Sequence, residues 1–152
     1  MKLHERKGPR LLSLVIALIF ALTVHPNKGQ AQITAAQGLE ADIPFQFYAG
    51  NAKLPPGKYF IRVLDDTDLN VMEISSADGR TTALFDVEAV QAKSTPKGEL
   101  IFNKYGNRYF LEQLFDDGVR SGSQVVESRY EQRVDKGTVE AEEHVPAHHR
   151  TS

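Results

Sequence analysis

The side chains that offer chemistry in this sequence are histidines, carboxylates and tyrosines, because its 152 residues include no cysteine. His144, His148 and His149 stand beside Glu142 and Glu143, and imidazoles with carboxylates are the usual ligands of a divalent metal. Pro146 interrupts any helix that would align His144 with His148, and nothing in the sequence supplies the outer hydrogen bonds that hold ligands in place. The cluster therefore reads as a polar tail with no metal site. Every other residue after position 31 is free of histidine, which removes the usual general base and the usual nucleophile pairings from the body of the chain. Asp66-x-Asp68-x-Asn70 begins like a calcium loop, but its sixth position is Val71 instead of glycine and its twelfth is Ala77 instead of glutamate. Asp65, Asp66, Asp68, Asp116 and Asp117 fall at expected turns, where aspartate stabilises the turn itself. A hydrolase built from carboxylates alone needs two of them converging across space, which spacing along a chain does not reveal. The reading is thus of no enzyme, no catalytic residue, no cofactor and no metal. One surface remains. Tyr105, Asn107, Arg108 and Tyr109, with Tyr59 and Asn103 nearby, are suited to stacking on a sugar or another flat ligand; tyrosines that merely cap a core with their hydroxyls in water are the competing account.

The elements that must position these residues are strands. Gly98 to Phe115 predicts a hairpin around Gly106-Asn107, a pair able to take the positive φ angles of a two-residue turn. That loop pairs Tyr105 with Arg108, Lys104 with Tyr109, Phe102 with Leu111 and Leu100 with Gln113. The opposite face keeps Ile101, Phe110 and Leu114, so the hairpin is expected to be central and covered on both sides. Before it, Ile43 to Tyr48 alternates as a strand that, because Pro44 donates no ladder hydrogen bond, lies at an edge or begins at that residue. Lys58 to Leu64, Leu69 to Ser75 and Arg80 to Val87 follow as strands, separated by Leu54-Pro55-Pro56-Gly57, by the aspartate-rich turn and by Ala77-Asp78-Gly79. Glu88 to Lys93 is open between strand continuation and loop. After Gly118 the period changes: Ser121 and Gln124 have capping-box spacing, and Val126, Tyr130 and Val134 stand four apart, which predicts an amphipathic helix over about 123–135 ending at Gly137. The fold class is mainly β: an antiparallel sandwich or small barrel of six to seven strands with one C-terminal amphipathic helix.

Lys2, Arg6, Lys7 and Arg10 precede an apolar run from Leu11 to Leu22, and Gly29 and Ala31 are small residues where a signal peptidase reads. Residues 1–31 are expected to be a secretory signal peptide cleaved after Ala31, an uncleaved N-terminal anchor being the alternative. Residues 32–42 form a lead-in, 43–136 a single β-domain with its helix, and 137–152 a disordered tail. Cleavage takes five of the 18 basic residues and one of the 20 acidic ones, leaving 13 against 19 and a net charge of −6. An acidic domain without a basic face argues against nucleic acid and against binding to anionic membrane once the signal is gone. The location is periplasmic or extracellular.

Ile43-Pro44-Phe45-x-Phe47, Leu54-Pro55-Pro56-Gly57-Lys58-Tyr59, Ser76-Ala77-Asp78-Gly79-Arg80 and Leu100-x-Phe102-x-x-Tyr105-Gly106-Asn107-Arg108-Tyr109-Phe110-Leu111, as an ordered set over residues 43 to 115, resemble a family of small secreted β-domain proteins of soil bacteria. The resemblance carries no established activity and transfers no site. The proline-glycine entry also resembles strand openings in prealbumin-like and carboxypeptidase-regulatory sandwiches, at the level of fold alone. The expected function is an exported, non-enzymatic structural or protein-interaction module with a protein or glycan partner. The alternative is a small-ligand or carbohydrate-binding β-domain. A pocket inside the sheet would favour the alternative, and a filled core with an exposed edge would favour partner binding.

Overall fold

Strand after strand in this chain sends alternate side chains to opposite faces, and the apolar member of each alternation closes on one interior. The computed structural model describes residues 38–65, 67–134 and 141–150. The signal segment 1–31, residues 32–37 of the lead-in and Asp66 of the calcium-like stretch lie outside the described residues.

In chain order the elements are β1 Leu39–Ile43, β2 Phe47–Ala49, β3 Ala52–Leu54, β4 Gly57–Asp65, β5 Asp68–Ser76, β6 Thr82–Gln91, β7 Glu99–Tyr105, β8 Arg108–Phe115, β9 Ser121–Val125, α1 Arg129–Val134 and β10 Ala141–His149. Eight strands in the order β8-β7-β10-β1-β4-β5-β6-β9 form an antiparallel ring, closed where β9 pairs with β8 at Gln113–Gln124 and Leu114–Ser123. The β2–β3 hairpin is appended through a parallel pairing of β2 with β8. The molecule is therefore a closed β-barrel with extra strands. An eight-stranded barrel has an interior just wide enough for side chains to fill. Here Leu39, Ile61, Met72, Ile74, Phe102 and Leu111 fill it, each at most 1% exposed. Tyr59 joins them, its hydroxyl donating to the Pro55 carbonyl at 2.7 Å.

The β7–β8 hairpin turns at Gly106 (φ +60°) and Asn107, with Tyr105 opposite Arg108 and Phe102 opposite Leu111. Beyond that pair the expected register fails. A bulge places Ile101 opposite Gln113 and Leu100 opposite Leu114, not Gln113. One extra residue in β8 reverses the alternation, so Leu114 turns inward beside Leu100 and Leu111. The same irregularity lets β8 serve two further neighbours, β2 at Tyr109–Phe110 and β9 at Gln113–Leu114.

Four expectations are corrected. The strands number ten among the described residues, because the expected strand from Ile43 to Tyr48 is divided between β1 and β2, because β3 adds a short strand, and because two segments expected to be helix and tail contain strands. Ser121 to Val125 is β9: its inward Ser123 and Val125 seal the barrel between β6 and β8, and tertiary pairing overrides the helical spacing. Among the described residues the helix covers Arg129–Val134, starting later than expected and capped at Ser128, whose Oγ accepts the Glu131 amide at 3.1 Å; its expected end at Asp135 and stop at Gly137 lie outside the described residues. The tail contains β10, in which Val145 and Ala147 alternate inward between β7 and β1. Two small apolar residues suffice there because both neighbours supply hydrogen-bonded ladders. The structured chain likewise starts earlier than Ile43, since Leu39 and Ala41 of β1 already belong to the core.

β6 and β10 each give the two halves of their length to different neighbours. β6 pairs with β5 through Thr82–Asp86 and with β9 through Val87–Gln91. β10 pairs with β7 through Ala141–Pro146 and with β1 through Ala147–His149. At these corners the ring leaves half-strands open on one side.

Candidate functional site

Two depressions flank the loop 126–128 on the outside of the barrel. The first is a cleft of about 340 Å³ between the outer face of β7–β9 and α1, into which Glu88, Glu112, Glu127 and Glu131 converge. The capping geometry at Ser128 orients the helix so that Glu131 faces the barrel, and that residue is only 4% exposed. Tyr130, next to it, lays its ring against Tyr48 and Phe110, with centroids 5.0 and 5.9 Å away. The Tyr105 hydroxyl donates to Glu131 Oε1 at 3.4 Å, and the Asn103 side chain also hydrogen-bonds that carboxyl. Burial, and then the charge of Glu112, push Glu131 up to about 7 against the downward pull of Asn103 and Tyr105. Glu112 is raised as well, by burial and by the charges of Glu127 and Glu142, while Gln124 Nε2 donates to its Oε1 at 3.1 Å. The chemistry this supports is storage of a proton near neutrality. At 4% exposed, Glu131 offers a substrate little access.

The second depression is a groove of about 480 Å³ along the open half of β6, walled by the Gly50–Ala52 turn on one side and closed at its end by Val126–Arg129. The Val126 amide donates to the Asp86 carbonyl at 2.9 Å, so at Asp86 the β6 backbone faces the β9 side. Alternation then aims the amide and carbonyl groups of Leu84 and Thr82 the same way, where β9 no longer runs beside them. Leu84 and Val126, 52% and 42% exposed, flank the groove, and Asp86 and Glu127 stand at its closed end with Arg129. Gly50 matters here: a Cβ on it would lie 3.2 Å from the Phe85 Cβ, and its φ of +56° disfavours other residues.

Searches of family models, curated proteins and solved structures find no match to this chain. The residues themselves carry the functional reading.

The four residues singled out at the hairpin tip do not share one surface. Tyr105 turns to the outer cleft, where its ring also meets Phe110 at 5.6 Å. Tyr109 turns the opposite way, stacked on Phe45 at 4.1 Å and lying beneath Lys104 Nζ at 5.5 Å. Asn107 and Arg108 are exposed at the turn. Asn103 lies in the cleft wall, and Tyr59 is inside the barrel. The histidines are spread along β10. His144 Nδ1 lies 2.9 Å from Glu99 Oε2 and His149 Nδ1 lies 3.4 Å from Asp116 Oδ2. Among the described residues no group of three or more His, Cys, Asp or Glu is arranged to hold a metal ion. Asp65 and Asp68 form turns, accepting the amides of Thr67 at 2.8 Å and Asn70 at 3.1 Å.

Sequence reasoning missed both depressions. The Glu131 cleft had one usable signal, the Ser128-Arg129-Tyr130-Glu131 capping box, overshadowed by the similar spacing of Ser121 and Gln124. The groove had none, because it exists only where β6 exchanges one neighbour for another.

Proposed function

We propose that this chain is an exported, non-enzymatic β-barrel that acts by binding a protein partner on its outer surface. One observation carries the reading: the barrel interior is occupied by the chain's own side chains, from Leu39 to Leu111, so recognition falls to the outside. The charged segment and apolar run of residues 1–31 support export, and N-terminal sequencing of the secreted product beginning at Gln32 tests it. Partner binding is tested by crosslinking the purified mature chain in envelope and culture-medium fractions, then measuring affinity for whatever is recovered. A saturable complex with a dissociation constant of about 1–10 μM, typical of transient contacts, is the expected outcome. Recovery of glycans alone would replace this reading.

That replacement has its own support. The cleft lined by Asn103, Glu112 and Gln124 offers amide and carboxylate groups of the kind that hydrogen-bond sugar hydroxyls. Titration with neutral oligosaccharides tests it, and binding lost in Gln124→Ala would place the function there.

A further inference from the structure

From the open half of β6 we infer that the groove beside Thr82–Asp86 is a strand-addition site, taking an extended peptide segment of a partner protein that carries apolar and basic residues. The inference rests on the partner-binding reading and names the partner's chemistry. An unpaired strand edge is a template for another strand, with main-chain hydrogen bonds supplying affinity and alternate side chains supplying selectivity. Leu84 and Thr82 direct their amide and carbonyl groups into the groove with no neighbouring strand. The open stretch is five residues, about 13 Å along the strand at about 3.3 Å per residue, which fits a short peptide. Its other features are selective. Leu84 and Val126 offer apolar contact to alternate peptide positions, and Asp86 and Glu127 outweigh Arg129, so a basic residue is favoured at the closed end.

The open half of β10 argues that this one is left available. On β10 the residues facing the missing neighbour are guarded by Pro146, which has no amide proton, and by Glu142, Glu143 and His144, all exposed. Proline and charge are the standard means of blunting an edge. The open half of β6 has no proline, carries its single charge, Asp86, at the closed end and places an exposed leucine at its centre.

The test uses the mature chain and a six-residue peptide of alternating valine and lysine, blocked at both ends, followed by amide chemical shifts and hydrogen exchange. Millimolar peptide is expected to slow exchange at Leu84 and Thr82 several-fold. Leu84→Lys is expected to weaken binding at least tenfold. Leu64→Lys, which alters a leucine 42% exposed on β4, is expected to leave binding unchanged. A peptide N-methylated at alternate positions retains charge and side chains but cannot pair, and it should not bind. Equal binding by the methylated peptide, or equal loss in both leucine variants, would show mere adsorption to an acidic surface and overturn the inference. Concentration-dependent dimerisation abolished by Leu84→Lys would overturn it in favour of a second copy as occupant. A natural partner recovered equally by wild type and Leu84→Lys would remove the groove while leaving partner binding in place.

Discussion

β6 and β10 solve the same geometric problem and finish it differently. Each runs past a corner of the barrel, giving one half of its length to one neighbour and the other half to another. On β10 the exchange coincides with Pro146: the Ala147 amide donates to the Gly98 carbonyl at 2.9 Å, so the missing amide of residue 146 falls on the β1 side, where pairing has just ended. The open side therefore has no donor at residue 146, and the exposed charges beside it discourage a visitor. On β6 the exchange at Asp86–Val87 leaves whole backbone groups of Thr82 and Leu84 facing a groove. The Gly50–Ala52 turn covers that groove only in part. An open edge in a barrel is a consequence of curvature, and the side chains placed on it decide whether it is inert.

The largest expected effect separates the anchors of the two corners. Phe85 is the inward residue next to the β6 exchange, and Val145 holds the matching place on β10. Phe85→Ala should cost about 3–5 kcal/mol and Val145→Ala about 2 kcal/mol, read from urea unfolding midpoints with unchanged slopes. If the order reversed, β10 would be the more tightly held corner and the contrast between them would fail.

The next effect concerns the loop and helix that close the groove's end. Glu131 has a folded-state value of about 7 against an ordinary 4.5, so the folded protein holds a proton that the unfolded chain releases between those values. Its contribution to stability is therefore full below about pH 4.5 and is lost as pH rises through about 7. Stability should fall by up to about 3 kcal/mol across that window. In Glu131→Gln the decline should flatten, with the β-sheet circular dichroism unchanged. A wild-type profile that is level from pH 5 to 8 would show that Glu131 is not held neutral beneath α1.

Gly50→Ala acts on the β6 corner at smaller scale. The new methyl would meet Phe85 and demand a φ that alanine resists, so a loss of about 1–2 kcal/mol is expected, together with a shifted turn and altered exchange at Leu84. The smallest effects on stability belong to the edges themselves. Leu84→Lys should change unfolding free energy by less than about 0.5 kcal/mol while removing peptide binding. Pro146→Val should be similarly neutral to stability but should raise self-association in sedimentation, by giving the β10 edge the donor it lacks. If Pro146→Val stayed monomeric at millimolar concentration, the charges at Glu142 and Glu143 alone would account for the inert edge.

How much of this was legible in the chain depends on the range of the forces involved. The hairpin at Gly106-Asn107 was readable because turn chemistry and alternation are local, and the Tyr105–Arg108 and Phe102–Leu111 pairs follow from them. Its far end was not, since the bulge near Glu112 meets the demands of three neighbours of β8. Ser121 to Val125 reads helical in isolation and is a strand because β6 and β8 stand on either side of it. Val145 and Ala147 read as the end of a polar tail and become core because β1 and β7 leave a place between them. By itself the sequence determined a cysteine-free, antiparallel β-domain, the positions of its tight turns and the inward faces of β4 and β6, with Tyr59, Ile61, Val63, Ala83, Phe85 and Val87, all of them properties of residues within a few positions of one another. Tertiary structure alone decided closure into a barrel, the gathering of Glu88, Glu112, Glu127 and Glu131 beneath α1, and the open half of β6. Each of those depends on which distant segments become neighbours, and that choice is made by the summed burial of the whole chain.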